Sequence, residues 1–293
     1  MGPLLAAPFF NGKFTVTDLM KNVVAVIKET ANELILPRFK ALTSEQIKEK
    51  NGPGDLVTIA DIEAEEKLSK AFKQLVIGSQ VVGEEITSKK PDTINLLSSE
   101  PLVWVIDPID GTKNFTKGID LFCTMVCLVR FGAPVLAVIF DPLNDRYIAA
   151  EEGSGSWLHE VTSISAEKLK VCEAVDLEQM SGFLSLGGFR DRATRDKMRS
   201  LASQIFKGYD NLGCSGHEYV QLVTDEKHFT INYRTFPWDH LPGSLIHSEA
   251  GGYQASFDGE KYDPTKLTKG LITAPNELAW KKIRKKFLHS YLS

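Results

Sequence analysis

The chain has 293 residues, of which 43% are apolar and 25% charged, with a formal net charge of -4. These proportions exclude a disordered, collagenous or membrane-spanning chain and describe a folded protein with a substantial core, in one large domain or two. The negative balance also excludes a general attraction to nucleic acid or anionic membrane, which basic residues drive through contact with phosphates.

Val23, Val24, Val26, Ile27, Ala31, Leu34 and Ile35 recur at helical spacing after Thr17-Asp18, which would cap the start, and Pro37 closes the stretch. Lys50 to Gly54 is turn chemistry, read as a mobile loop, and Asp55-Leu56-Val57-Thr58 leads from it into a second helix carrying Ile62, Leu68, Phe72 and Leu75. From Gln80 the pattern changes to short β-branched runs at 81–82, 103–106, 122–131, 134–140, 146–150 and 155–158, with tight turns at Gly132-Ala133 and Gly153-Ser154-Gly155. A largely antiparallel sheet is expected. After about Val175 helices and strands alternate: a strand at 183–186, a helix from Arg192 to Phe206, and another after Ser215-Gly216. A further helix follows Trp238-Asp239, then strands near 253–257 and 271–273 and a last helix from Asn276 to Leu292. The division expected is an N-terminal α+β domain over 1–175 that carries the reactive loops, and a C-terminal α/β domain over 176–293 that completes the site.

The stretch with most chemistry is Val103-Trp104-Val105-Ile106-Asp107-Pro108-Ile109-Asp110-Gly111-Thr112, an apolar strand ending in two carboxylates three residues apart. Pro108 is expected to stop the strand, and Gly111 to permit a sharp turn with its amides directed inward. Crowded carboxylates repel unless a cation lies between them, and hard oxygen ligands of this kind select magnesium or calcium over zinc. The same residues could instead form an ordinary surface turn. Gly83-Glu84-Glu85 places a second acidic cluster after another short strand, with a solvated loop as its plainer alternative. Asp239 sits where a helix N-cap is expected, next to amides that favour an anion, and Gly251-Gly252 ends that helix.

Of the other reactive side chains, Cys123, Cys127, Cys172 and Cys214 show no zinc-type pairing and are expected to be reduced and structural, Cys123 and Cys127 facing one side of a strand. His217, His240 and His247 have no ligand spacing and read as structural or surface residues. The basic run from Lys281 to Lys286 reads as a solvated helix face. With no apolar run near the ~20 residues of a spanning helix and no basic start at Met1, the expected location is the cytoplasm.

Gly83-Glu84-Glu85, Asp107-Pro108-Ile109-Asp110-Gly111-Thr112, and Trp238-Asp239 with Glu249-Ala250-Gly251-Gly252 together resemble the inositol monophosphatase family, as does Asp55-Leu56-Val57-Thr58 with Asp61. The resemblance implies a layered αβαβα sandwich and hydrolysis of a phosphate ester assisted by two to three magnesium ions, sensitive to lithium. It implies Glu84, Asp107 and the Ile109 carbonyl as ligands of one ion, and Asp107, Asp110 and Asp239 as ligands of a second. Glu84 would also reach a third, and Glu85 would support. Thr112 and Asp61 correspond to the family's water-orienting pair, with a turn threonine and a helix-start acid as the plainer reading of the residues alone. Gly111 and Thr112 correspond to its phosphate-binding amides, and Ser215 to a substrate contact. Lys50 corresponds to a lysine on a loop near the metals, with an exposed loop lysine as the alternative.

Inositol-hydrolysing members have a glutamate seven residues before the aspartate of the Trp-Asp motif; this chain has Asn232 there, expected at the rim against the alcohol part of the substrate. Inositol monophosphate is the substrate favoured. A histidinol phosphate, a nucleotide 3'-phosphate, a fructose bisphosphate, or a binding protein that has lost turnover are the alternatives. Dimers are common in the family, so a homodimer is compatible with the resemblance.

Overall fold

The computed structural model describes residues 16–50, 52, 54–160, 165–187 and 191–288. Helix α1 (Val16–Thr30) already contains Thr17 and Asp18, which therefore stand in its first turn rather than before it. Its stripe of Val23, Val24 and Ile27 is buried, and it runs on through a wide turn at Ala31–Ile35 into a short 3-10 turn with Pro37. The expected loop around Lys50 is the tip of a hairpin, β1 (Ile47–Glu49) paired antiparallel to β2 (Leu56–Thr58), closed by Lys50 N–H donating to the Asp55 carbonyl at 2.8 Å. Strands of three residues are too short to show a period of two, which is why the sequence reads as loop. Asn51 and Pro53 lie outside the described residues.

Helix α2 (Ile59–Leu75) starts on a capping box: Thr58 Oγ1 accepts from the Ala60 and Asp61 amides, and Asp61 Oδ2 accepts from the Thr58 amide at 2.7 Å. Beyond it come β3 (Gln80–Gly83), α3 (Glu84–Lys89), α4 (Leu96–Ser99), β4 (Leu102–Asp110) and α5 (Thr112–Thr116). Then follow β5 (Cys123–Arg130), β6 (Ala133–Asp141), β7 (Arg146–Glu151), β8 (Ser156–Glu160) and β9 (Ala166–Lys168). Strands β3 to β9 form a seven-stranded sheet in sequence order, antiparallel except for β3 with β4. The β5–β6 turn is at Phe131-Gly132, one residue earlier than expected, and both have positive φ (48° and 76°), the twist a two-residue hairpin needs.

The rest of the chain contributes β10 (Ser181–Ser185), α6 (Arg192–Ile205), β11 (Gly208–Asp210), α7 (Ser215–Val223), β12 (Phe229–Asn232), α8 (Pro237–Glu249), β13 (Tyr253–Ala255), β14 (Leu271–Ala274) and α9 (Glu277–Ile283). Its five-stranded sheet has the order β11-β10-β12-β14-β13. The last helix continues as a wide turn to Leu288, and the remainder of the expected helix lies outside the described residues.

Helices α1 and α2 cover one face of the large sheet, where Phe72 stacks on Trp104 at 4.7 Å. On the other face, Tyr219, Leu245 and Ile246 of α7 and α8 pack against Met125, Ala137 and Ile139. The small sheet lies beyond them and carries α6 and α9 on its far side, through Phe229, Ile231, Met198 and Trp280. The result is an αβαβα sandwich. The chain changes sheets between Lys168 and Ser181, yet its middle helix layer, from the C-terminal half, packs on the N-terminal sheet. The two halves thus meet in a shared layer, and residues far apart in sequence come together there.

Candidate metal centre and active site

Strand β4 does not stop at Pro108. It continues to Asp110 through a bulge, in which Asp107 pairs with Met125 and Asp110 with Cys123, so three steps on β4 answer two on β5. A proline is tolerated here because a bulge already breaks the ladder, and the Pro108 carbonyl still accepts from Thr124 Oγ1 at 2.8 Å. The extra residue also changes parity. Val103, Val105 and Asp107 face the middle helices, Ile109 turns to the opposite core with Trp104 and Ile106, and Asp110 returns to the helix side beside Cys214. Without the bulge, carboxylates three apart would point to opposite faces.

Asp110 is held from the C-terminal half: the Ser215 and Gly216 amides at the start of α7 donate to its carboxylate, the second at 2.5 Å, and Cys214 Sγ donates to Oδ2 at 3.1 Å. Gly111, at φ 93° and with the Leu121 carbonyl 2.8 Å from where a Cβ would stand, makes the sharp turn into α5 that only glycine allows. Asp239 is in the first turn of α8 rather than at its cap, which is Phe236; Pro237 at the first helical position moves the start three residues earlier than expected. Ligand oxygens of Asp107, Asp110 and Asp239 all lie within 4.8 Å of one another.

Glu84 begins α3 and faces the same cleft, while Glu85 is buried behind it. Lys50, with 6% of its side chain exposed, is no free loop lysine. It pairs with Glu84 and with Glu85 at 3.0 Å, and the hairpin carries it in. Burial would pull its pKa down, but the two glutamate charges outweigh that and hold the ammonium above its ordinary range. Glu65, unremarked in the sequence, seats α3: its carboxylate accepts from the Glu85 and Ile86 amides at 2.8 and 2.7 Å. Gly83 is needed for this approach, since a Cβ there would strike the Glu65 carboxylate. The only sequence signal for Glu65 is an acid on the buried stripe of α2, four residues after Asp61.

Thr112 Oγ1 lies 3.2 Å from Asp61 Oδ1 and 3.1 Å from the Ile109 carbonyl, so its one proton has two acceptors. Asp61 is fully buried, and burial first, then Glu84, raises it to about 6 against the Thr58 hydrogen bonds. The cleft has a volume of about 260 Å³ and brings Glu84, Asp107, Ile109, Asp110, Gly111, Thr112 and Asp239 onto one wall. Asn232 is not on that wall. It is 4% exposed and donates from Nδ2 to Thr230 Oγ1 at 3.0 Å, because its strand position faces it between the layers. The exposed Arg234, two residues on, reaches the cleft instead. The buried His217, His240 and His247 belong to the packing; His217 Nε2 meets the Phe122 carbonyl at 3.2 Å and His240 Nδ1 the Tyr219 hydroxyl at 3.2 Å.

Burial first, and then mutual repulsion, holds Asp107 and Asp239 well above the ordinary carboxylate range; desolvation also raises Asp110, against the hydrogen bonds from Gly216, Cys214 and Ser215. An all-oxygen set with this excess of negative charge fits a hard divalent cation, whose charge would relieve the repulsion. A carboxyl raised on folding takes up protons more readily in the folded state, so it withdraws stability as pH climbs from its unfolded value, near 4, towards its folded one. The metal-free protein is therefore expected to melt at lower temperature at pH 8 than at pH 5.5, and magnesium to raise the melting point more at pH 8. Scanning calorimetry at both pH values, with chelator or with magnesium, measures this; a magnesium effect independent of pH would contradict it.

Residues 16–291 match the model of the inositol monophosphatase family. An inositol monophosphatase of Dictyostelium discoideum is 30% identical over 255 residues, covering 85% of this chain and 88% of that protein. A fructose-1,6-bisphosphatase/inositol-1-monophosphatase of Thermotoga maritima is 28% identical, over 74% of this chain and 77% of that one. A staphylococcal IMPase-I crystallised with products superposes with a TM-score of 0.77 at 18% identity, covering 93% of this chain and 95% of that one, a likeness of fold.

Proposed function

The chain belongs to the inositol monophosphatase family and is a phosphoric monoester hydrolase, and we propose that it hydrolyses a small polyol phosphate, inositol monophosphate first, using water and two to three magnesium ions. The observation that carries this reading is the trio of the buried Asp107 and Asp110 and the half-buried Asp239, its oxygens within 4.8 Å of one another and opening on one cleft. Glu84, Asp107 and the Ile109 carbonyl would hold one ion, and Asp107, Asp110 and Asp239 another, with Asp107 common to both. Glu84 would also serve a third, with Glu85 and Lys50 setting the charge behind it. Bound there, magnesium supplies charge to phosphate oxygens and makes water acidic enough to attack.

The chain's own groups do the rest. Thr112 orients the attacking water by donating a hydrogen bond to Asp61, which leaves its lone pairs to accept from the water. The one proton the water releases reaches Asp61 by way of the Thr112 hydroxyl, which takes it up as it passes its own on. The Gly111 and Thr112 amides hold the phosphate, and Asp110, Ser215 and Asp239 border the ester. We keep 175/176 as the point where the chain passes from the half carrying most metal ligands to the half that completes the site. The four free thiols support a reducing, cytoplasmic setting, and no helix among the described residues is long and apolar enough to cross a membrane. Lithium inhibition and a homodimer follow from the family reading.

A second reading has a specific observation behind it. Arg234 on the cleft wall, whose charge offsets part of the upward shift that burial, Asp110 and Glu84 impose on Asp239, suits an ester whose alcohol carries a further anion, as fructose 1,6-bisphosphate does. Phosphate release measured on both esters, for wild type and Arg234→Gln, decides between the two. If the bisphosphate is the substrate, its kcat/KM falls roughly tenfold relative to that of inositol monophosphate. An unchanged ratio removes Arg234 from recognition and leaves the first reading; no magnesium-dependent release from any ester of a wider panel would overturn both.

A further inference from the structure

Behind the carboxylate wall, Cys123 of β5 and Cys214 before α7 converge on the same oxygen of Asp110. Their sulfurs are 3.8 Å apart, and Asp110 Oδ2 is 3.7 Å from Cys123 Sγ and 3.1 Å from Cys214 Sγ. All three residues are buried, at 1%, 2% and 7% exposure. They come from separate elements, 91 and 104 residues apart along the chain.

A tetrahedral zinc ion with bonds of about 2.3 Å to sulfur and about 2.0–2.2 Å to oxygen separates two sulfur ligands by about 3.8 Å, and sulfur from oxygen by about 3.5 Å. The triangle already has those edges to within about 0.4 Å. A disulfide would instead require the sulfurs to close to about 2.05 Å. Two thiolates and one carboxylate select a thiophilic ion over magnesium. Asp110 and Gly213 both line the cleft, so the cluster lies directly behind its wall.

The geometry points to a second metal site in this protein, formed by Cys123, Cys214 and Asp110, that binds zinc or a similarly thiophilic divalent ion and competes with the hard-cation site for Asp110. Binding exchanges two thiol protons for one ion: Zn²⁺ plus two thiols and one carboxylate gives a Zn–S₂O centre and two protons, with water as fourth ligand. The Gly216 amide keeps Asp110 Oδ2 in place. Because Asp110 serves both sites, zinc occupancy removes a ligand from the cleft. That consequence for activity rests on the phosphatase reading; the site itself does not.

The test uses the full chain with cobalt(II) as the coloured probe and zinc as the competing ion, neither needing turnover. Wild type takes up cobalt with the near-ultraviolet absorption of thiolate-to-cobalt charge transfer, and zinc abolishes the band. The band persists in Cys127→Ala and is absent from Cys123→Ala/Cys214→Ala. Zinc-edge X-ray absorption of the loaded wild type shows two sulfur neighbours, an arm that does not depend on the double variant folding. Only oxygen and nitrogen neighbours, or a band surviving in a folded double variant, overturns the site. With activity present, half-inhibition by zinc shifts upward on the order of 100-fold in the double variant and rises with magnesium in wild type. A zinc-loaded, sulfur-ligated enzyme with full activity overturns the competition.

Discussion

Asp107→Asn is expected to abolish phosphate release while raising the melting temperature of the metal-free protein. Asp107 lies between the Glu84 side of the cleft and the Asp110–Asp239 side, and its charge is felt at both. One lost electrostatic contact costs about 10²–10³ in kcat, so a ligand shared by two ions should cost about 10⁴ or more. The amide keeps an oxygen for the Ile109 N–H, which donates to Asp107 Oδ1 at 3.0 Å, so local shape is retained. It also removes a buried charge repelled by Glu84, Asp110, Asp239 and Asp61, and above pH 7 the metal-free variant should melt a few degrees higher. Phosphate release and calorimetry on one preparation test both. A variant losing activity and stability together would point to misfolding and take Asp107 out of this role.

Thr112→Ala is expected to lower kcat by about 10²–10⁴, the usual contribution of a positioned proton transfer, and Thr112→Ser to restore most of it. Thr112 is half-buried at the start of α5, so losing its hydroxyl removes two weak contacts, to Asp61 and to the Ile109 carbonyl, and leaves the carboxylates in place. Metal binding and melting temperature should therefore barely change. Asp61, raised to about 6, must be ionised to accept the proton, so kcat should fall as pH drops through about 6 in wild type. In Thr112→Ala that limb should flatten, because the residual reaction no longer passes through Asp61. An alanine variant with unchanged kcat would remove Thr112 from the mechanism.

Wherever neighbouring residues settle the outcome, this sequence was readable. The run from Val103 to Ile106 dictates a buried strand by its β-branched and aromatic residues, Thr58 and Asp61 form a helix start within one turn, and Gly111 admits a conformation few other residues accept. The acids Glu84, Asp107, Asp110 and Asp239 were legible for the same reason, as short motifs at element ends. What pairing and packing decide was not. Only the register of β4 against β5 shows the bulge that brings Asp107 and Asp110 to one face, and only the docking of α7 places amides on Asp110. The hairpin buries Lys50, β12 ends at Asn232 and holds it between the layers while Arg234, past the strand end, meets the cleft, and the shared middle layer brings Cys123 to Cys214. Local preference acts over a few residues through backbone sterics and periodicity, whereas distances between residues tens of positions apart are set by sheet register and helix docking, which depend on the whole core.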